Sequence, residues 1–197
     1  PSASLYVSVG ADIGAAQIDV EKLALLNDIV ANKTAGDVHT IAQINSLASI
    51  ANAIQTTAAG HLSAFTLTSV HFTDIGVSGV NDENLAAILV RLQHQNVEGS
   101  QTHSLSQLKD IVDDQEAALK AIQQTADNNH AFTLSIADFE ASGMTGVIAT
   151  NVTLIKEWLD TGAIDHTTIT HAQQLQALID AVNTVRTLAD GANNDGS

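Results

Sequence analysis

FTLTSVHF at Phe65–Phe72 and FTLSIADF at Phe132–Phe139 are one pattern written twice, 67 residues apart, and they hold all four phenylalanines of a 197-residue chain. Self-similarity at a fixed period marks a tandem array, in which one small unit is repeated and neighbours complete each other's packing. The register implies a second copy over 65–131, a third over 132–197 that ends in a linker, and a divergent first copy over 1–64. In that first copy Gly14 answers Gly76 and Gly143, Leu23 answers Leu85 and Val152, and Gln43 answers Gln107 and Gln174. The first copy is shorter, mainly through a deletion in its last helix.

Each copy reads as three helical segments. The first is short: Thr68 and Ser135 are expected N-caps, and Gly76 and Gly143 suit the left-handed position that closes a helix. Copy one holds Gly10 where a phenylalanine is expected, which puts its first helix in question. A glycine turn follows, Gly76 to Val80 and Gly143 to Val147, with Gly14 to Ile18 in copy one. The second helix carries an apolar stripe at Leu23, Leu26, Val30; Leu85, Ile88, Leu92; and Val152, Ile155, Leu159. A polar loop such as 96–100 leads to the third helix. Its start is marked by a hydroxyl residue followed three positions later by glutamine: Thr40/Gln43, Ser104/Gln107 and Thr170/Gln173, the last one residue off the alignment. Behind these boxes run Ile44, Leu47, Ala48; Leu108, Ile111, Val112; and Leu175, Leu178, Ile179. In copy two this helix is expected over Leu105 to about Asp127, about 35 Å long.

The expected fold class is therefore all-α, a tandem array of three small three-helix bundles forming an elongated rod. A unit of this size is marginal alone and gains from its neighbours. Phe65 and Phe132, just past the last helix of the preceding copy, are placed to wedge the junctions, where copy one has Ala3.

Composition narrows the function. Seven Lys and Arg against 22 Asp and Glu give a formal charge of −15, which disfavours nucleic acid and anionic lipid. With no cysteine there is no disulfide framework, thiolate zinc site or thiol nucleophile. No apolar run approaches the length of a membrane span, and no signal peptide is visible. Pro1 opens abruptly and 190–197 reads as a solvated linker, as in a segment cut from something longer.

Eight histidines invite a metal reading. His39, His103 and His171 stand one per copy at the third-helix start, without paired spacing, and read as polar cap neighbours. His61 and His130 fall in linkers; His71 lies in a first helix, where copy three has Asp138. Asp110, Asp113, Asp114 and Glu116 read as a solvated helix face, with only Asp180 retained nearby in copy three. Calcium at the oxygen-rich linkers 127–129 and 190–195 is the alternative to no cofactor, although neither has the spaced ligands of a calcium loop. Gly76-x-x-Gly79 and Gly143-x-x-Gly146 lack the lysine and strand of a phosphate loop. Trp158, replaced by Ile29 and Arg91 in the other copies, reads as a partly covered packing residue. No catalytic, cofactor-binding or metal residue is assigned, and an enzyme is not expected.

The unit F-T-L-x-x-x-x-F-x-x-x-G-V/M-x-G-V-x-x-x-N-L/V, at Phe65–Leu85 and Phe132–Val152, precedes a capped helix with Q-L-x-x-I/L at 107–111 and 174–178. It resembles a helical repeat of giant secreted adhesins of Gram-negative bacteria, of the repeats-in-toxin and biofilm-associated kinds. The resemblance covers copies two and three well and copy one weakly. It implies a cell-surface location and a non-enzymatic extender that lifts a binding domain from the cell, its partners being neighbouring repeats. The alternative is a helical recognition module for a peptide, glycan or host protein, which an exposed apolar patch would favour.

Overall fold

The computed structural model of the protein describes residues 1–17, 19–94, 102–127, 131–161 and 167–192. The polar loop at 96–100 and His130 lie outside them. Among the described residues the secondary structure is helical, with nine α-helices and no strand. They are α1 (Ala3–Ser8), α2 (Val20–Ala31), α3 (Ile41–Ala58), α4 (Ser69–Ile75), α5 (Leu85–His94), α6 (Leu105–Asp127), α7 (Ile136–Ala141), α8 (Val152–Leu159) and α9 (Ala172–Ala192). Their lengths rise in the same order three times, from 6 to 12 to 18 residues, then 7, 10, 23, then 6, 8, 21. The chain divides into two compact units, Pro1–Leu85 with Leu92–Asp113, and Ala86–Arg91 with Asp114–Ser197. This is a division by contact rather than by sequence register: α6 belongs to the first unit through Asp113 and to the second from Asp114.

Local chemistry explains the short helices. Ser2, Thr68 and Ser135 stand in extended backbone ahead of α1, α4 and α7. Each of these helices stops at a left-handed glycine, Gly10 (φ 87°), Gly76 (φ 94°) and Gly143 (φ 79°). The glycine N–H returns to Val7, Thr73 or Glu140 at 2.9–3.0 Å, and the next N–H, of Ala11, Val77 or Met144, returns to the carbonyl of Tyr6, Phe72 or Phe139 at 2.9–3.0 Å. That pair of bonds is the glycine stop that satisfies the last carbonyls of a helix.

The same bonds correct the sequence reading of copy one. A first helix is present, and Tyr6, not Gly10, occupies the aromatic position. Gly10, not Gly14, answers Gly76 and Gly143. Tyr6 is buried like Phe72 and Phe139, but its hydroxyl donates to Asn27 Oδ1 at 3.0 Å, so the tyrosine is accommodated by a polar partner on α2. Its burial raises the phenol pKa above the ordinary value.

The second-helix stripes hold at Leu26, Ile88, Leu92, Ile155 and Leu159, all buried. In α2 the buried row is Leu25, Leu26 and Ile29, with Leu23 and Val30 half-buried beside it. The third-helix stripes are buried at Leu47, Ala48, Leu108, Ile111, Val112, Leu175 and Ile179. In the first unit α2 packs along α3, and α4 packs on α3. The core of the second unit runs from Leu119, Ile122 and Ala126 of α6 through Leu134, Phe139 and Met144 to Ile155, Leu159, Leu175 and Ile179.

Candidate functional site

The polar residues that the fold buries are concentrated where one sequence copy meets the next. In the first unit Gln55, near the end of α3, donates its side-chain amide to the Thr102 carbonyl at 2.6 Å; both residues are buried. The chain ahead of α6 is held from α2 as well. Asp28 Oδ2 accepts the Leu105 N–H at 2.7 Å, and Glu21 Oε1 lies 3.6 Å from His103 Nε2. In the second unit Gln123, near the end of α6, donates to the Ile169 carbonyl at 2.6 Å, and Gln115 donates to the Ser142 carbonyl at 3.0 Å. Thr102 and Ile169 stand 67 residues apart, one repeat period. A buried carbonyl with no partner is costly, so Gln55 and Gln123 each fix where the following long helix begins.

The glycine turns are tied to their own third helices. Asn52 Nδ2 donates to the Ile13 carbonyl and Asn183 Nδ2 to the Gly146 carbonyl, both at 3.1 Å. Asn45 Oδ1 accepts the Asp12 N–H, and Gln176 Oε1 the Thr145 N–H, both at 2.9 Å. Asn84 and Asn151 close the turns from inside, donating to Gly79 and Gly146 at 2.7 and 2.6 Å.

The caps show which side chains at helix starts have a local structural role. Thr40 N–H donates to Gln43 Oε1 at 3.0 Å, completing the expected box. At α6 Ser104 Oγ accepts the Gln107 N–H, while Gln107 Oε1 reaches back one residue further, to the His103 N–H at 2.9 Å. At α9 the expected Gln173 is corrected to Gln174, whose Oε1 accepts the Thr170 N–H at 2.7 Å. The helix starts at Ala172, so Gln174, not Gln173, is its third residue and faces back across the first turn.

The histidines follow the same logic. His71 Nδ1 accepts the Thr68 N–H at 3.0 Å, and Asp138 Oδ2 accepts the Ser135 N–H at 2.6 Å, so imidazole and carboxylate perform one task in two copies. The Ser135 backbone bond, then its hydroxyl, holds the Asp138 carboxyl below the usual carboxylate range. The Thr34 hydroxyl and N–H do the same for Asp37. At Asp19 burial opposes ionisation, but the N–H groups of Glu21 and Lys22 and the Lys22 charge outweigh it, and its pKa falls. His39 Nδ1 sits 2.6 Å from the Gly36 carbonyl. Phe65 is half-buried with its ring 4.8 Å from that of His71, a contact within copy two. The side chain of Phe132 lies outside the described residues.

Asp110, Asp113, Asp114 and Glu116 are exposed on α6, with Asp113 paired to Lys109. Among the described residues no three His, Asp or Glu side chains are arranged to hold a metal ion. Of the residues in the calcium reading, 127–129 and 190–195, Asp127 is exposed at the end of α6, and the side chains at 128–129 and 190–195 lie outside the described residues. Trp158 is 42% exposed. An open groove in the first unit is lined by Lys33, Asp37, Ser46, Leu47, Thr73 and Asp74 among others. Among the described residues no helix is long and apolar enough to cross a membrane.

Neither protein-family models nor curated proteins nor solved structures yield a match to this chain.

Proposed function

We propose that the chain is a non-enzymatic extender, a set of helical repeats whose product is length, acting in a large secreted protein at a bacterial cell surface and projecting a binding domain. The observation that carries this reading is the paired linkage Gln55–Thr102 and Gln123–Ile169, each 2.6 Å long. In both, a glutamine near the end of one long helix donates to the carbonyl three residues ahead of the next, with acceptors 67 and donors 68 residues apart, which suits an array and has no use in a solitary catalytic pocket. The resemblance to adhesin repeats points the same way, and so does a charge of −15, which disfavours collapse of neighbouring copies onto one another. In this reading the three copies form a rod of three-helix bundles whose partners are neighbouring repeats.

Small-angle scattering with and without calcium tests the proposal. A maximum dimension well beyond that of a compact particle of the same mass supports the extender, and calcium-dependent lengthening would assign the linker aspartates a role. A compact particle rejects it. The recognition-module reading gains from exposed Leu5, Val9 and Ile41, since a pure spacer needs no apolar patch.

A further inference from the structure

One position is covered in both later copies and open in the first, and a second is covered in the third copy and open in the first. Val9, the residue before the left-handed Gly10, is 53% exposed, whereas Ile75 and Ser142, which precede Gly76 and Gly143, are 1% and 0% exposed. Ile41, the first residue of α3, is 46% exposed, whereas Leu105, the first residue of α6, is half-buried and Ala172, the first residue of α9, is 2% exposed. Ile41 and the end of α1 are neighbours: a Cβ on Gly10 would meet Ile41 Cδ1 at 3.4 Å. In each later copy the first helix or its end meets the long helix of the copy before. α4 packs on α3, and Gln115 of α6 reaches the Ser142 carbonyl.

The complementary surface is open on α9. The second half of α3 is buried at Ile50, Ile54 and Ala58, but α9 leaves Val185 54% and Leu188 68% exposed. A long-helix strip that is covered in copy one is therefore uncovered in copy three, and a first-helix face that is covered in copies two and three is uncovered in copy one.

We propose that a second copy of this chain supplies the missing cover. The second half of its α9, through Val185 and Leu188, lies over Val9 and Ile41 of the first copy. The two chains contribute different surfaces, so the contact is heterologous and leaves one of each surface free for further growth. The inference rests on the extender reading and adds to it self-association by the rule that joins the internal copies. Each chain carries −15, so mutual repulsion opposes association and salt relieves it.

Sedimentation velocity on the full chain, over a range of concentrations at low and high salt, tests this. Mass is expected to rise with concentration, more steeply at high salt. Val9→Asp and Leu188→Asp each place a charge in the apolar contact and weaken association by about tenfold or more. Both sites are exposed, so both variants keep the helical circular dichroism of the parent. An equimolar mixture of the two is expected to form a dimer and nothing larger, because each supplies the surface the other has lost. As a second readout, the chain has no cysteine of its own, so the thiol of Val9→Cys is unique, and its alkylation is expected to slow as unlabelled parent chain is added. A monomer at every concentration and salt, association indifferent to both substitutions, or a mixture that stays monomeric overturns the inference. A monomer that scatters as an extended particle does so while leaving the extender reading intact.

Discussion

Gln55 donates its amide to the carbonyl of Thr102 across 47 residues of sequence, at 2.6 Å, with both residues buried. Replacing Gln55 with Leu keeps the bulk and strands the carbonyl. A buried acceptor left without its donor costs about 1–3 kcal/mol, so urea denaturation of Gln55→Leu is expected to show a loss in that range. Gln123→Leu should lose a similar amount through Ile169. Full stability in both variants would remove the linkage from the account.

Two glycines with the same backbone conformation should respond very differently to alanine. At Gly76 (φ 94°) an added Cβ meets nothing within 4 Å, so only the left-handed strain of about 1–2 kcal/mol applies. At Gly143 (φ 79°) the Cβ would stand 2.4 Å from the Ala87 carbonyl oxygen, which is backbone and cannot swing aside. Thermal melting is expected to rank Gly143→Ala well below Gly76→Ala. Equal melting temperatures would refute the close approach.

Asp138 makes stability pH-dependent in a defined direction. Its pKa is lowered in the folded state, chiefly by the Ser135 N–H and then by the Ser135 hydroxyl. Its contribution is therefore fully present above the unfolded carboxylate value, about 3.9, and is lost as pH falls through the lowered folded value. Asp138→Ala is expected to cost about 0.5–1 kcal/mol at neutral pH and almost nothing in strong acid. A cost independent of pH would show that the carboxylate is not the acceptor.

Trp158 and Phe139 separate surface from core. Phe139 is fully buried, and Phe139→Ala should cost about 3–5 kcal/mol. Trp158 is 42% exposed, and Trp158→Ala should cost roughly 1–2 kcal/mol. As the sole tryptophan, its fluorescence in the native chain is expected to be open to acrylamide quenching. A native emission shielded as fully as a core indole would contradict the exposed placement.

The helix starts were legible wherever the deciding contact spans a few residues. Thr40 with Gln43, Thr68 and Ser135 as N-caps, and α6 over Leu105–Asp127 could be read directly, because a cap is satisfied within one turn. The register of copy one is not legible in the sequence, because Tyr6 does not read as the counterpart of Phe72. A hydroxyl on a core aromatic is tolerated only if a partner such as Asn27 is nearby, and no local pattern announces Asn27. The role of His71 was likewise hidden: its equivalence to Asp138 lies in one accepting atom, not in charge or shape. Gln55 and Gln123 carried no signal of their own, since an amide on a helix becomes a linking residue only when a distant carbonyl is brought to it.

Sequence by itself determined that this protein is helical, where the short helices of copies two and three stop, and which faces are apolar, because hydrogen bonds to neighbouring backbone and left-handed glycines act over a handful of residues. Tertiary structure alone decided which apolar side chains are covered. Val9 and Ile75 are both aliphatic residues ahead of a glycine, yet Val9 is exposed and Ile75 is interior, at the end of a helix, α4, that packs on α3. Burial is a property of what lies opposite a side chain, and the chain's order does not state it.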